Sequence, residues 1–255
     1  MDFIARMLDD AGLRAWCVHG SHGKNGVTEV GGGMMETRKD FLSSHEWQRQ
    51  AGLDLIRNRL AFAARIGSPS VVMHVDLDET ELRDPAAHAA FYDRFHRSFD
   101  EIAEDCLRTG VKIAVENLNG APIERSLEMF GKLFEQHSAD TVGLCYDCGH
   151  AELSEPGQFR ILENHGDRLI ATHLHDNRSV RDDHLLPGDG DIDFDRLIRL
   201  IAATDYAAPL TFETPHRAHG MGYSLGDAAF FERAQSRIAP LEKKLAELRA
   251  KGATS

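Results

Sequence analysis

Six short apolar runs, each closing on a histidine or a carboxylate, recur along this chain with helical sequence between them, and that alternation constrains the fold more than any other feature. The runs fall at residues 13–19, 70–75, 111–116, 142–147, 169–175 and 209–213, and the polar residues at their ends are His19, His74, Glu116, Asp147, His173 and Glu213. Helical spacing covers 2–11, 46–66, 85–108, 123–136, 157–163, 194–203 and 225–251. Pro240 is expected to break the last of these, because proline lacks the backbone donor and clashes with the preceding turn. Strands that alternate with helices form parallel βα units. No hairpin signal is visible, so an all-parallel sheet is expected, with residues 22–44 as a long loop carrying a short helix near its end.

Such a repeat either closes into a (β/α)8 barrel or stays open as a doubly wound sheet. A barrel draws its working residues from the C-terminal ends of many strands, whereas an open sheet concentrates them at one switch point. Here every run ends in a candidate ligand, which is barrel behaviour. Parity agrees, since residues two apart in a strand share a face. Cys17, Val72, Ala114, Cys145, Ala171 and Thr211 fall on the ligand side and are small or medium, while bulkier Trp16, Met73, Ile113, Tyr146, Leu174 and Phe212 fall on the other. The expected class is therefore α/β, a (β/α)8 TIM barrel forming one domain over 1–255. Only six strands are found and a helix comes first, so the first two strands are expected to be absent. Either the sequence begins late or a partner closes the barrel; without one or the other, exposed strand edges would cost stability.

Residues 171–194 pack His173, His175, Asp176, Asp182, Asp183 and His184 into a short span after an apolar run. Imidazoles and carboxylates together are the ligand types of divalent metals. Composition narrows the rest. The formal net charge of −12 repels polyanions, so nucleic acid is not an expected partner. No apolar run is long enough for a membrane helix and the N-terminus has no signal-peptide pattern, so a cytoplasmic protein is expected. Four irregularly spaced cysteines suit a reducing compartment, and Cys145 and Cys148 lack the second pair a four-thiolate zinc site needs.

The series VVMHVD, VKIAVENLN, GLCYDCGHAEL, THLHDN, DDHLLPGDGDIDF and LTFETP resembles the xylose isomerase-like TIM-barrel superfamily, which holds sugar and sugar-phosphate isomerases and epimerases and also the endonuclease IV type of AP endonuclease. The resemblance runs over 13–215. In its isomerase and epimerase branch it implies one divalent ion, Mn²⁺, Mg²⁺, Co²⁺ or Zn²⁺, on Glu116, Asp147, His173 and Glu213. Glu116 and Glu213 would then remove and return a proton next to a carbonyl of a small sugar or sugar phosphate. His150 would hold a substrate oxygen or a further metal. The alternative branch implies three zinc ions and phosphodiester cleavage at abasic DNA, with His19, His74 and a bridging Glu116 at the first, and His150, Asp182 and His184 at the third. Against that branch, Gly20-Ser-His-Gly23 replaces its DNA-wedge loop and Arg178-Ser-Val-Arg181 is shorter than its basic loop. A barrel without catalytic activity is the third reading.

Several neighbours carry weaker expectations. His175 occupies a slot that the related pattern usually fills with Lys or Asn, so a substrate contact is expected of it rather than a metal bond. His216 and His219 are expected to be solvated. Gly188-Asp-Gly190 reads as a turn before a helix capped by Asp191 or Asp193, and the amphipathic 241–249 reads as outer layer or as the contact of a homo-oligomer.

Overall fold

In the computed structural model the described residues are 2–20, 26–30, 33–37, 40–76, 83–120, 122–218 and 221–252. In chain order they form α1 (Asp2–Asp10), β1 (Val18–His19), β2 (Gly26–Val30), β3 (Gly33–Thr37), α2 (Glu46–Arg65), β4 (Ser70–His74), α3 (Pro85–Thr109), β5 (Lys112–Glu116) and α4 (Ile123–Gln136). There follow β6 (Val142–Asp147), α5 (Cys148–Ser154), α6 (Arg160–His165), a 3-10 turn (Gly166–Arg168), β7 (Leu169–His173), α7 (Phe194–Ala202), β8 (Arg217–Ala218), β9 (Met221–Gly222) and α8 (Asp227–Gly252). The chain divides into two compact units, Met1–Val115 with Glu128–Gly143, and Glu116–Leu127 with Leu144–Ser255.

In the first unit β1 runs parallel to β4, with Val18 opposite Val71 and His19 opposite Val72. Strand β5 follows β4 in the strand order. Val71, Val72, Met73, Ile113, Ala114 and Val115 are all buried, as expected of parallel strands covered on both faces. Helix α3 starts where Asp84 accepts hydrogen bonds from Ala86 N (3.0 Å) and Ala87 N (2.8 Å), with Pro85 in the first turn, and it stops at Gly110, whose φ of 68° a residue with a Cβ resists. It packs on α2 and buries Phe91, Phe95 and Phe99 together with Leu53, Ile56 and Leu60. Within that layer the Arg49 guanidinium is buried but fully engaged, by Glu46 (2.6 Å), Glu101 (2.6 Å) and Ser98 Oγ (3.0 Å). Ser98 in turn donates to Phe41 O at 2.6 Å.

In the second unit β6 pairs parallel with β7, placing Cys145 opposite Ala171 and Asp147 opposite His173, so these four share the face that parity assigned them. The last expected strand is reduced to a parallel bridge between Leu174 and Phe212, held by Leu174 N to Thr211 O (2.9 Å) and Glu213 N to Leu174 O (3.0 Å). Helix α7 begins at the Asp193 cap, whose side chain accepts from Arg196 N at 2.8 Å, and packs against α8 through buried residues that include Leu197, Ile198, Ile201, Phe230 and Leu245.

Four expectations need correction. Residues 22–44 contain an antiparallel hairpin, β2 with β3, and a second short one joins β8 to β9, so the protein is not free of hairpins. The run at 13–19 forms a ladder only at its last two residues. Helix α5 was not anticipated, because its seven residues have no apolar period and its cap is Asp147, a residue the sequence presents as a ligand. Helix α8 continues through Pro240, since Phe230 on one side and Leu245 on the other are buried and hold its axis across the missing hydrogen bond. Among the described residues no helix is long and apolar enough to cross a membrane.

At Gly52 in the first unit the helix meets neighbouring backbone closely: an added Cβ would stand 2.3 Å from Phe41 N. Backbone cannot retreat as a side-chain tip can, so Gly52→Ala is expected to destabilise the protein by about 1–3 kcal/mol in urea unfolding. An unchanged midpoint would contradict the packing described.

Candidate metal centre

Glu116 closes β5, Asp147 closes β6, His173 closes β7 and Glu213 follows the Phe212 bridge; one ligand atom from each lies within 4.8 Å of the others. His173 Nδ1 is 3.1 Å from Glu116 Oε1 and 3.4 Å from Glu213 Oε2. Glu116, Asp147 and His173 are buried, whereas the Glu213 side chain is 42% exposed, so the group is open on one side. Asn117 sets the strand ends: its side-chain amide donates to Asp147 O and accepts from Asp147 N, both at 2.8 Å, a two-bond exchange that prolongs the sheet ladder by a side chain. Asp147 Oδ1 accepts from His150 N at 2.7 Å, capping α5. Its Oδ2 is buried and makes no hydrogen bond among the described residues. A carboxylate with one oxygen braced and the other buried and bare, in a group of three carboxylates and an imidazole, fits a divalent cation.

A second group adjoins it. Asp182 Oδ2 is 3.0 Å from His184 Nε2 and 3.3 Å from His150 Nε2, and His175, Asp182 and His184 offer ligand atoms within 4.8 Å of one another. The other nitrogen of each outer ring also faces an acceptor: His184 Nδ1 lies 2.7 Å from Glu213 O, and His150 Nδ1 lies 3.0 Å from Asn117 O. An imidazole with acceptors at both nitrogens must carry both protons. Burial opposes that charge, but the bonds to Asp182 and the surrounding carbonyl and carboxylate oxygens outweigh it and hold both rings up at about 9. Burial likewise opposes charge on Asp182, and the two histidines still hold it well below the usual carboxylate range.

The loop that carries this group is pinned from beneath. The buried Asp176 carboxylate accepts from Asn177 N (3.0 Å), Gly188 N (2.8 Å), Gly190 N (2.9 Å) and Ile192 N (3.1 Å). Tyr223 Oη accepts from Leu186 N at 2.7 Å and donates to Asp189 at 2.7 Å, and Asp189 is gripped by Arg233 (2.7 Å) and Arg237 (3.1 Å). So tethered, the loop holds His184 at a φ of 48°, an uncommon backbone state for a residue other than glycine.

The second unit thus brings together Glu116, Asp147, His150, His173, His175, Asp182, His184 and Glu213. His19 and His74 belong to the first unit, where their rings meet edge to face with centroids 4.9 Å apart. His175 is fully buried, which withdraws it from the substrate contact expected of it. His216 is not solvated: it stacks on Phe230 at 4.7 Å, and its ring nitrogens meet Leu225 O (2.6 Å) and Asp227 (3.1 Å). His219 lies outside the described residues. Burial pushes the Cys145 thiol up to about 12 and Cys148 well above its ordinary value, so neither is a reactive thiol. Asn117 and Tyr223 were not singled out from sequence, and Asp176, named there in the polar cluster as of metal-ligand type, instead accepts four backbone hydrogen bonds.

The signs give a pH window for the metal-free protein. Raised imidazole values contribute stability below 6.5 that is lost as pH rises through about 9, and the depressed Asp182 contributes stability above 3.8 that is lost as pH falls further. Imidazole resonances of His150 and His184 should titrate near 9 by NMR, and Asp182→Asn should return both toward 6.5. Ordinary values in the unsubstituted protein would refute the doubly donating geometry.

Comparison with known proteins follows the same lines. A family model described as xylose isomerase-like TIM barrel matches residues 2–236. The uncharacterized protein y4fM of Sinorhizobium fredii is 43% identical over 99% of this chain and 82% of its own length. An inosose dehydratase of Erwinia tasmaniensis is 27% identical over 50% of each chain, so the matched part spans about half of that enzyme. Among solved structures, an L-ribulose 3-epimerase superposes with a TM-score of 0.70 at 16% identity, covering 98% of this chain and 81% of the other. The IolI protein with a bound zinc atom superposes with a TM-score of 0.65 at 14% identity over the same shares, 98% and 81%.

Proposed function

The chain belongs to the xylose isomerase-like TIM-barrel family, with the fold of an incomplete (β/α)8 barrel, and we propose that it is a metal-dependent isomerase or epimerase that moves a proton on the carbon next to a carbonyl of a small sugar or sugar phosphate. The observation that carries this reading is the gathering of Glu116, Asp147, His173 and Glu213 at strand ends, with the bare Asp147 Oδ2 among them. A divalent ion there would polarise the carbonyl and make the neighbouring C–H acidic.

The chain's own groups supply the rest. Glu213, partly exposed, takes the carbon-bound proton, and the bonding pair moves onto the carbonyl oxygen. Glu116, buried and protonated, returns a proton, to the same carbon for an epimerase or, for an isomerase, to the former carbonyl carbon while the neighbouring hydroxyl proton passes to the former carbonyl oxygen. His150 and His184, each with an acceptor at both nitrogens, offset the carboxylate charge beside the reacting carbon. The inosose dehydratase relatives favour a second outcome of the same first step, in which hydroxide leaves the next carbon as water, with the proton that Glu213 has taken, instead of a proton returning to carbon.

Solvent deuterium entry into a ketose panel tests the reading, with Mn²⁺, Mg²⁺, Co²⁺ or Zn²⁺ added. Glu116→Gln and Glu213→Gln are each expected to lower exchange by at least ~10²-fold, and exchange retained in both would rule out the paired carboxylates. Metal analysis of the same sample should give one divalent ion per chain; three zinc ions with cleavage of abasic DNA would favour the phosphodiesterase alternative.

A further inference from the structure

His175 is completely buried, and its surroundings are built to hold it. One face of the ring stacks on His184 at a centroid distance of 4.0 Å and an interplanar angle of 15°. Gly149 in α5 meets the ring so closely that an added Cβ would lie 1.9 Å from His175 Cε1 and 2.5 Å from both ring nitrogens. The adjacent Cys148 thiol donates to His175 O at 3.2 Å, and Asn177 Nδ2 donates to Gly149 O at 2.9 Å, so α5 is fastened to the segment that carries the ring. Nε2 points at Asp147 Oδ1 from 3.2 Å and at Asp182 Oδ1 from 3.6 Å. Neither ring nitrogen completes a hydrogen bond among the described residues, nor does Asp182 Oδ1 or Asp147 Oδ2.

We infer that His175 is a positioning residue: it steadies Asp147 through Oδ1 so that Oδ2 is presented to the ion, and Gly149 is the clearance that lets it do so. The inference rests on the metal-dependent reading above. A buried polar nitrogen left without a bond is costly, so a fold that seals an imidazole between a glycine and another imidazole gains by giving Nε2 an acceptor. Asp147 Oδ1 stands within ion-pair reach of Nε2, at 3.2 Å, and is already held on another side by His150 N at 2.7 Å. Second-layer groups of this kind orient a metal-binding carboxylate and are typically worth about 10–100-fold in metal affinity. The side chain cannot serve the substrate directly, because it has no exposed surface.

Two variants and one probe test this. Co²⁺ binding to the metal-free full chain is measured by its visible absorption, alongside thermal unfolding without metal. His175→Gln removes the ring, and Gly149→Ala leaves the ring in the chain but drives a methyl into its place. Either variant is expected to weaken Co²⁺ binding by about 10-fold or more and to change the shape of its absorption band; His175→Gln keeps metal-free melting within a few degrees, and Gly149→Ala, whose methyl meets a buried ring, melts lower but still cooperatively. If His175→Gln fails to fold, Gly149→Ala decides alone. Co²⁺ binding within twofold of the unsubstituted protein in the folded variants would overturn the positioning role while leaving the metal-dependent reading in place. No Co²⁺ binding by the unsubstituted protein would overturn that reading and this one with it.

Discussion

The repulsion among Glu116, Asp147 and Glu213 is the constraint around which the second unit is arranged. Two like charges within 4.8 Å oppose each other by the order of 3 kcal/mol at an effective dielectric near 20. Two of the three carboxylates are buried, which removes the water that would otherwise dilute that term. The compensation is visible in the side chains around them. His173 approaches both glutamates, and His150 lies 3.5 Å from Glu116 Oε1 and 3.6 Å from Asp147 Oδ2. Asp182 and His184 extend the alternation of charge outward, so each acid meets an imidazole and each imidazole an acid.

Such an arrangement needs a rigid frame, and the frame is made largely of backbone donors. Asp147 does two jobs at once, since the oxygen that caps α5 is unavailable to an ion and the other oxygen thereby becomes directional. Asp176 does one job four times over, tying Asn177, Gly188, Gly190 and Ile192 into a closed loop under the histidines. Gly190 is part of the same logic: a Cβ there would lie 2.2 Å from Asn177 O and 2.4 Å from Asp176 Oδ1, so the loop can close on its staple only with glycine at that point. The strain at His184 is affordable because these bonds over-determine the backbone around it.

The sequence disclosed what local chemistry controls. Helix α4 and strand β6 have the boundaries their patterns imply, and α3 differs by one residue at its end, because Asp84-Pro85 and Gly110 are start and stop signals that act within a turn. The four strand-end groups were legible for a similar reason, since a strand fixes where its last residue points. What depended on tertiary partners was not legible. The β2–β3 hairpin is the exception, because Gly31-Gly32 between the two runs is a usual two-residue turn signal that the glycine-rich composition of 22–44 obscured. Pro240 looked like a break because only burial at both ends of α8 keeps it from being one. His216 looked solvated because nothing in its neighbours' spacing discloses the Phe230 ring beneath it.

His175 shows why residue type alone misleads near such a centre. Its parity puts it on the same face as His173, two residues earlier, yet His173 approaches Glu116 and Glu213 while His175 is sealed against Asp147. The distinction comes from Gly149, whose missing Cβ leaves room for the ring and which lies in a helix too short to be read from periodicity. Filling the position between Asp147 and Asp182 with an imidazole costs the fold a buried polar group, offset in part by the carboxylates it faces, and a cation bound among those carboxylates would offset more. Ligand linkage then favours the folded state by about 2.7 kcal/mol at an ion concentration of about 100 Kd. On the metal-dependent reading, stability and function in this unit share one determinant, the ion that the carboxylate group would hold.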